Sequence, residues 1–316
     1  MGGLPACLRK GVCACGEYCF SDHSLYMLVS DWDGDCVCPP HKPKENDMKA
    51  RLVTPLLTCL LALVLAGPLA AQDDDQRIYT RLALWQVERA RWSDYVDRYE
   101  QYTQPIMEQL FEAGTIVEWG LDASSIHRPD GYTHASWFSA TSIADLERAL
   151  DAVIEAGEAR GEEGRRALAD FASMITKHRD YMLRDLVRRS SDARLDGGYW
   201  VGTFSRTKPG RGSDYRSWWD EHTQPVLEGL LADGTIVAYG LTVEDLITEG
   251  FGGRTSWYVV PNADALDTVQ AAFRASWQAM SDEGRRARIA SIVAVTEAGT
   301  FQEFMSELIH FALKAN

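Results

Sequence analysis

Residues 215–241 read YRSWWDEHTQPVLEGLLADGTIVAYGL, and residues 95–121 read YVDRYEQYTQPIMEQLFEAGTIVEWGL. The two stretches lie 120 residues apart and share Thr-Gln-Pro, Gly-Thr-Ile-Val and Gly-Leu in step. The same shift aligns Ser93-Asp94-Tyr95 with Ser213-Asp214-Tyr215 and Ser136-Trp137 with Ser256-Trp257. Further on it aligns Glu163-Gly164-Arg165-Arg166-Ala167 with Glu283-Gly284-Arg285-Arg286-Ala287. Agreement in separate blocks at one offset marks a tandem duplication. Two copies fall short of the three or so that a solenoid needs, so a pseudo-symmetric pair is expected. The copies span residues 72–198 and 199–316.

Each copy changes its periodicity in order. Residues 78–87 are rich in Tyr, Leu, Trp and Val and predict a strand. Trp92, Tyr95, Val96, Tyr99, Tyr102, Ile106, Met107, Leu110 and Phe111 fall at helical spacing. Pro105 and Pro225 lie inside that pattern, so the helix is expected to kink or divide there. Gly114 ends it. Thr115, Val117, Trp119 and Leu121 alternate onto one face of a second strand. A Pro129-Asp130-Gly131 loop leads to a strand over Tyr132–Ala140. Ser142 and Asn262 are N-caps for a helix carrying Leu146, Leu150 and Ile154, and another helix is expected over 162–175. Residues 180–188 and 300–311 supply the last strand of each copy, although YMLRDLVRR also fits a helix. The order β-α-β-β-α-β is the ferredoxin-like arrangement. Two such α+β units packed sheet to sheet give a pseudo-dimeric α+β barrel with room for an interior pocket.

Residues 49–71, KARLVTPLLTCLLALVLAGPLAA, have the layout of a secretory signal: basic Lys49 and Arg51, an apolar run, then small residues. The apolar run is shorter than the roughly 20 residues of a membrane span, so cleavage after Ala71 and export to the periplasm or medium are expected, with no stable anchor. Cys59 follows Thr58 and does not fit a lipidation site. Met48 directly precedes this segment, so residues 1–47 are expected to be an upstream mis-started extension. They hold six of the seven cysteines in no regular zinc-ligand spacing. A chain cut after Ala71 has no cysteine, hence no disulfide and no thiol nucleophile. The formal net charge of −14 is spread along the chain and argues against a nucleic-acid partner.

The 215–241 stretch resembles the first helix and second strand of the dimeric α+β barrel superfamily, in particular its EthD-like and NIPSNAP-like members. The pattern is His222, Pro225, Leu227, Leu230, Gly234 and Tyr239; the first copy departs from it with Tyr102 where the second has His222. The resemblance implies the barrel fold, a small-molecule ligand and a monomer or homodimer. That superfamily includes cofactor-free monooxygenases, polyketide cyclases, dehydratases and haem-dependent enzymes. No cofactor is expected; haem enters through the resemblance and because His222 could ligate it.

His222 lies on the apolar face of its helix and could act as a general acid or base, with Tyr215, Tyr239 and Arg254 nearby. The plainer alternative is a half-buried His bonded to Asp220 or Glu221. Tyr102, Tyr95 and Tyr215 could bond a substrate oxygen or simply be core aromatics. Trp119 and Tyr239 match on the second strand, and Trp137 and Trp257 on the third; they fit a ligand pocket or inter-sheet packing. His134 and Arg254 match on the third strand and would orient an acidic group if their face lines the barrel, which the pattern leaves open. The Thr-Gln-Pro turns shape the helix break, and the Arg pairs at 165–166 and 285–286 read as solvated faces. No GxSxG, HExxH or Walker A motif occurs after residue 71, and His127 and His134 lack a third metal ligand. The expectation is an exported small-molecule-binding barrel, with proton transfer or oxidation of an aromatic or polyketide-like compound as its chemistry if it is an enzyme. A non-catalytic binding or stress protein and a haem enzyme are the alternatives.

Overall fold

A computed structural model describes residues 77–127, 131–246 and 252–315. The leader and signal segments lie outside the described residues, as do Pro129 and Asp130. The first half runs β1 (Tyr79–Val87), α1 (Trp92–Tyr102), α2 (Gln104–Ala113), β2 (Glu118–Ser124), β3 (His134–Ala140), α3 (Ile143–Ala159), α4 (Gly161–Met174) and β4 (Ile175–Ser190). A short β5 (Ala193–Leu195) follows. The second half repeats the order as β6 (Tyr199–Arg206), α5 (Gly212–His222), α6 (Gln224–Ala232), β7 (Ala238–Glu244), β8 (Gly253–Val260), α7 (Ala263–Gln278), α8 (Asp282–Val295) and β9 (Gln302–Leu313).

Local chemistry sets the boundaries. Pro105 and Pro225 cannot donate to the preceding turn, and the helix divides at Thr103 and Thr223, leaving each proline in the first turn of the next helix. Gly114 ends α2 in the left-handed region at φ 78°. Ser142 Oγ accepts from Asp145 N at 3.1 Å, and Asn262 Oδ1 from Ala265 N at 3.0 Å, so both expected caps form. β2 begins at Glu118, later than the alternation predicts, because Thr115 and Ile116 still bond back to Leu110 O. The YMLRDLVRR stretch is strand, within a β4 of 16 residues. Its ladder is paired on both edges, with β1 and with β7, and that outweighs helix propensity.

The strand order is β2-β3-β1-β4-β7-β8-β6-β9, and β9 pairs back onto β2, so the sheet closes as an eight-stranded barrel. β5 pairs with Phe311–Leu313, continuing the edge of β9 that β6 pairs at its other end. Each half contributes four strands, and β4 and β9 cross over to pair with the other half. Closure leaves none of the eight strands with an unpaired edge. Arg188 faces Gly240 across one seam as Phe311 faces Gly120 across the other, which shifts β9 by three residues against the alignment of the preceding elements.

Alternation gives each strand one face toward the helices and one toward the barrel interior. The helix side holds Trp119 and Leu121 with Tyr95, Tyr99, Met107 and Phe111 in the first half. In the second it holds Tyr239 and Leu241 with Tyr215, Trp219, Leu227 and Leu230. The interior holds Trp137, Trp257, Val259, Leu308 and Phe311. Gly120 and Gly240 leave room for the two indoles; a Cβ on Gly240 would lie 2.7 Å from Trp257. The rest of the interior is a buried polar chain. Arg188 donates to Glu118 at 2.6 Å and to Asp185 at 3.1 Å, Ser139 donates to Glu118 at 2.8 Å, and Thr80 bonds Ser139 at 2.8 Å. The matching second-half positions are apolar: Ala238 for Glu118, Phe311 for Arg188, Leu308 for Asp185, Val259 for Ser139 and Trp200 for Thr80. Indoles and this ion network therefore stand in the space that the sequence left open for an interior pocket.

Candidate functional site

The structure distributes the residues singled out in the sequence over several places. Trp257 lies inside the barrel with the Arg188 guanidinium 5.7 Å from its ring. Trp119 is fully buried beneath the first-half helices. His134 and Arg254 occupy strand faces directed at the helices, so neither lines the barrel. His134 is buried against Tyr95 and Trp92, and its Nδ1 is 3.0 Å from Thr133 Oγ1. Burial, then the nearby His127, push its pKa down to about 4. Arg254 stacks 5.8 Å from the Tyr215 ring, and Tyr215 Oη accepts from Ser205 Oγ at 3.3 Å. Tyr239 Oη donates to Glu228 at 3.3 Å; burial and that carboxylate push it up to about 12. His222 belongs to a separate cluster, edge-on to Trp218 at 5.5 Å and 3.9 Å from Glu221. Burial and the nearby Arg288 lower its pKa. Tyr215 and Arg254 are thus brought together, while His222 and Tyr239 have their own partners.

Among the candidate residues, Tyr102 lines a cavity. That cavity, about 270 Å³, lies in the first half between the sheet and helices α1 to α4. Trp85, Phe138, Tyr99, Phe171, Val153 and Leu150 make its apolar wall. Its polar groups gather at two places. On the sheet, Trp85 and His178 stand directly opposite on β1 and β4, and their rings stack at 4.0 Å with 4° between planes. His178 Nε2 is 3.0 Å from Asp180 Oδ1, and Arg81 Nη2 is 3.5 Å from Asp180 Oδ2. Trp85 Nε1 donates to Ser136 Oγ at 3.0 Å, fixing the indole. On the helices, Arg160 lies 4.6 Å from the Tyr102 ring, and Tyr102 Oη donates to Glu163 at 3.5 Å. Arg98 bonds Asp170 at 3.1 Å.

The arrangement is an apolar slot with an imidazole–carboxylate pair on its sheet side, both side chains 40% exposed, and guanidinium groups around it. With Nε2–H donating to Asp180, Nδ1 is the basic nitrogen of His178. The cavity is at the small end of the roughly 300–1,000 Å³ typical of ligand sites. That volume is too small for a tetrapyrrole. Haem is therefore given no part in the site. No cluster of three or more metal-ligating side chains occurs among the described residues.

Sequence reading missed Trp85, His178, Asp180, Arg81 and Arg160. The signal was present in part: Arg81, Ala83 and Trp85 alternate on one strand face, as do His178 and Asp180. Starting the last strand at residue 180 left His178 out of it.

No family model matches the chain, and no curated protein matches it. Solved structures do. A candidate monooxygenase from Fusobacterium nucleatum superimposes with a TM-score of 0.53 at 10% identity, covering 76% of this chain and 95% of that one. A candidate monooxygenase from Lactobacillus acidophilus gives 0.51 at 9% identity, covering 75% and 97%. An anthrone oxidase-like protein gives 0.44 at 16% identity, covering 77% and 95%. Closure of eight strands with the helices outside, together with the first two of these likenesses, establishes that the chain has the dimeric α+β barrel fold.

Proposed function

We propose that the protein is an exported small-molecule-binding barrel that acts on a flat aromatic or polyketide-like compound bearing an acidic oxygen, using the cavity of its first half. The observation that carries this reading is the His178–Asp180 pair on the sheet side of a largely apolar slot, with the imidazole stacked on Trp85. Aromatic walls favour a planar ligand. Arg81 and Arg160 favour an acidic group on it. His178 would accept a proton at Nδ1 while Asp180 holds the ring and stabilises the imidazolium. This moves the acid/base role expected of His222 to the first half, because His222 packs on Trp218 while His178 lines a cavity. Export rests on the layout of residues 49–71.

The test uses the full chain and anilinonaphthalene sulfonate, an aromatic anion, as a reporter of the cavity. One dye should bind, and aromatic acids or phenols that displace it become substrate candidates. Turnover of such a compound should fall about 10²–10⁴-fold in His178→Gln. A protein that binds no dye, or a turnover unaffected by His178→Gln, overturns the reading.

A further inference from the structure

The two halves share a fold, yet the place that is hollow in the first is occupied in the second. On α3 the cavity wall includes Gly157 and Val153; α7 has Trp277 and Phe273 at the matching positions. Arg98 and Tyr102 on α1 correspond to Trp218 and His222 on α5. The added bulk closes on itself. Arg288 of α8 is 5% exposed, with its guanidinium 5.6 Å from the Trp218 ring and 5.7 Å from the Trp277 ring. α4 presents Ala167 and Leu168 to the corresponding space. Arg288 has no carboxylate partner among the described residues; Nη2 donates to His222 O at 3.4 Å and Nε bonds nothing.

We propose that position 157 determines the depth and specificity of the first-half cavity, and that Trp277 is an internal plug closing a counterpart site for aromatic anions in the second half. The proposal rests on reading the first-half cavity as the ligand site. A Cβ placed on Gly157 points toward Leu168, 3.3 Å from its Cδ1, so any side chain there grows across the slot. In the second half, removing the Trp277 indole leaves a space walled by Trp218 and Phe273 with the Arg288 guanidinium on it. An aromatic wall beside a buried cation without a carboxylate partner is the chemistry that takes a planar anion.

Dye stoichiometry tests both parts. The wild-type chain should bind one anilinonaphthalene sulfonate, Gly157→Trp none and Trp277→Gly two, each variant being checked for a cooperative melt. In Trp277→Gly the second site should vanish again on adding Arg288→Met, and it should reject the uncharged phenylnaphthylamine. If Trp277→Gly does not melt cooperatively, Trp277→Val replaces it. A wild-type chain that binds no dye overturns the site itself. One dye retained by folded Gly157→Trp, with wild-type affinity, overturns the role of position 157 while leaving the site reading intact. One dye, unchanged, in folded Trp277→Gly or Trp277→Val overturns the plugged counterpart.

Discussion

The indole of Trp85 lies flat on the imidazole of His178, directly across the β1–β4 ladder, with ring centroids 4.0 Å apart. The stack orients His178, whose Nε2 lies 3.0 Å from Asp180, and forms part of the sheet side of the cavity. Replacing Trp85 by Ala removes both supports. It should cost about 3–5 kcal/mol in urea unfolding, the usual range for a large aromatic truncation, and abolish dye binding. Trp85→Phe keeps the stack and should retain binding.

The buried ion chain of the barrel makes a contrasting prediction. Arg188 and its partners Glu118 and Asp185 have side chains no more than 6% exposed. Arg188→Met leaves two carboxylates unpaired in the interior and should destabilise by about 3–5 kcal/mol. Taking the second half's residues together, Glu118→Ala, Asp185→Leu and Arg188→Phe with Ser139→Val, should cost much less than that single change. Chemical denaturation of both variants decides it; a combined variant as weak as Arg188→Met would count against the asymmetry being interchangeable packing.

Asp122 on β2 is wholly buried, and burial raises its pKa from 3.8 to about 7. In the unfolded chain it ionises near its ordinary value while the folded chain keeps it neutral. Its contribution to stability is therefore full below about pH 4 and is lost as pH rises toward 7, at up to about 1.4 kcal/mol per unit. Asp122→Asn stays neutral throughout. Its melting temperature relative to the wild type should rise steadily between pH 4 and 7, and a constant difference over that range would refute the assignment.

His134 has the opposite sign. Its pKa falls from 6.5 to about 4 on folding, so the stability it contributes is present above pH 6.5 and is lost as pH falls toward 4. His134→Gln should remove that acid sensitivity, seen as a melting temperature that converges on or exceeds the wild type's at pH 4.5.

Gly120 sits where any Cβ would overlap the Trp137 ring. Gly120→Ala should therefore cost about 1–3 kcal/mol through overpacking, measured by thermal melting. Trp137→Leu in the same chain should recover part of that loss, because the smaller side chain vacates the space.

The local features were legible from residues alone. Helix division at Thr103 and Thr223 follows from a proline that cannot donate, and the caps at Ser142 and Asn262 follow from side-chain acceptors beside free N–H groups. The site was harder to read. His178 and Asp180 lie just ahead of a stretch whose short-range pattern fits helix or strand, and Trp85 looks like any strand aromatic until β4 is laid beside it.

The sequence by itself determined the repeated unit, the order of its elements and the α+β class, because propensity, alternation and capping act over a few neighbouring residues. Only the tertiary structure decided which strand face is inward, since a two-residue period is the same from either side. It also decided which half is hollow. Gly157 and Trp277 are single differences among many in the alignment, and their weight comes from what stands across from them: Leu168 and open space in one half, Arg288 and Trp218 in the other.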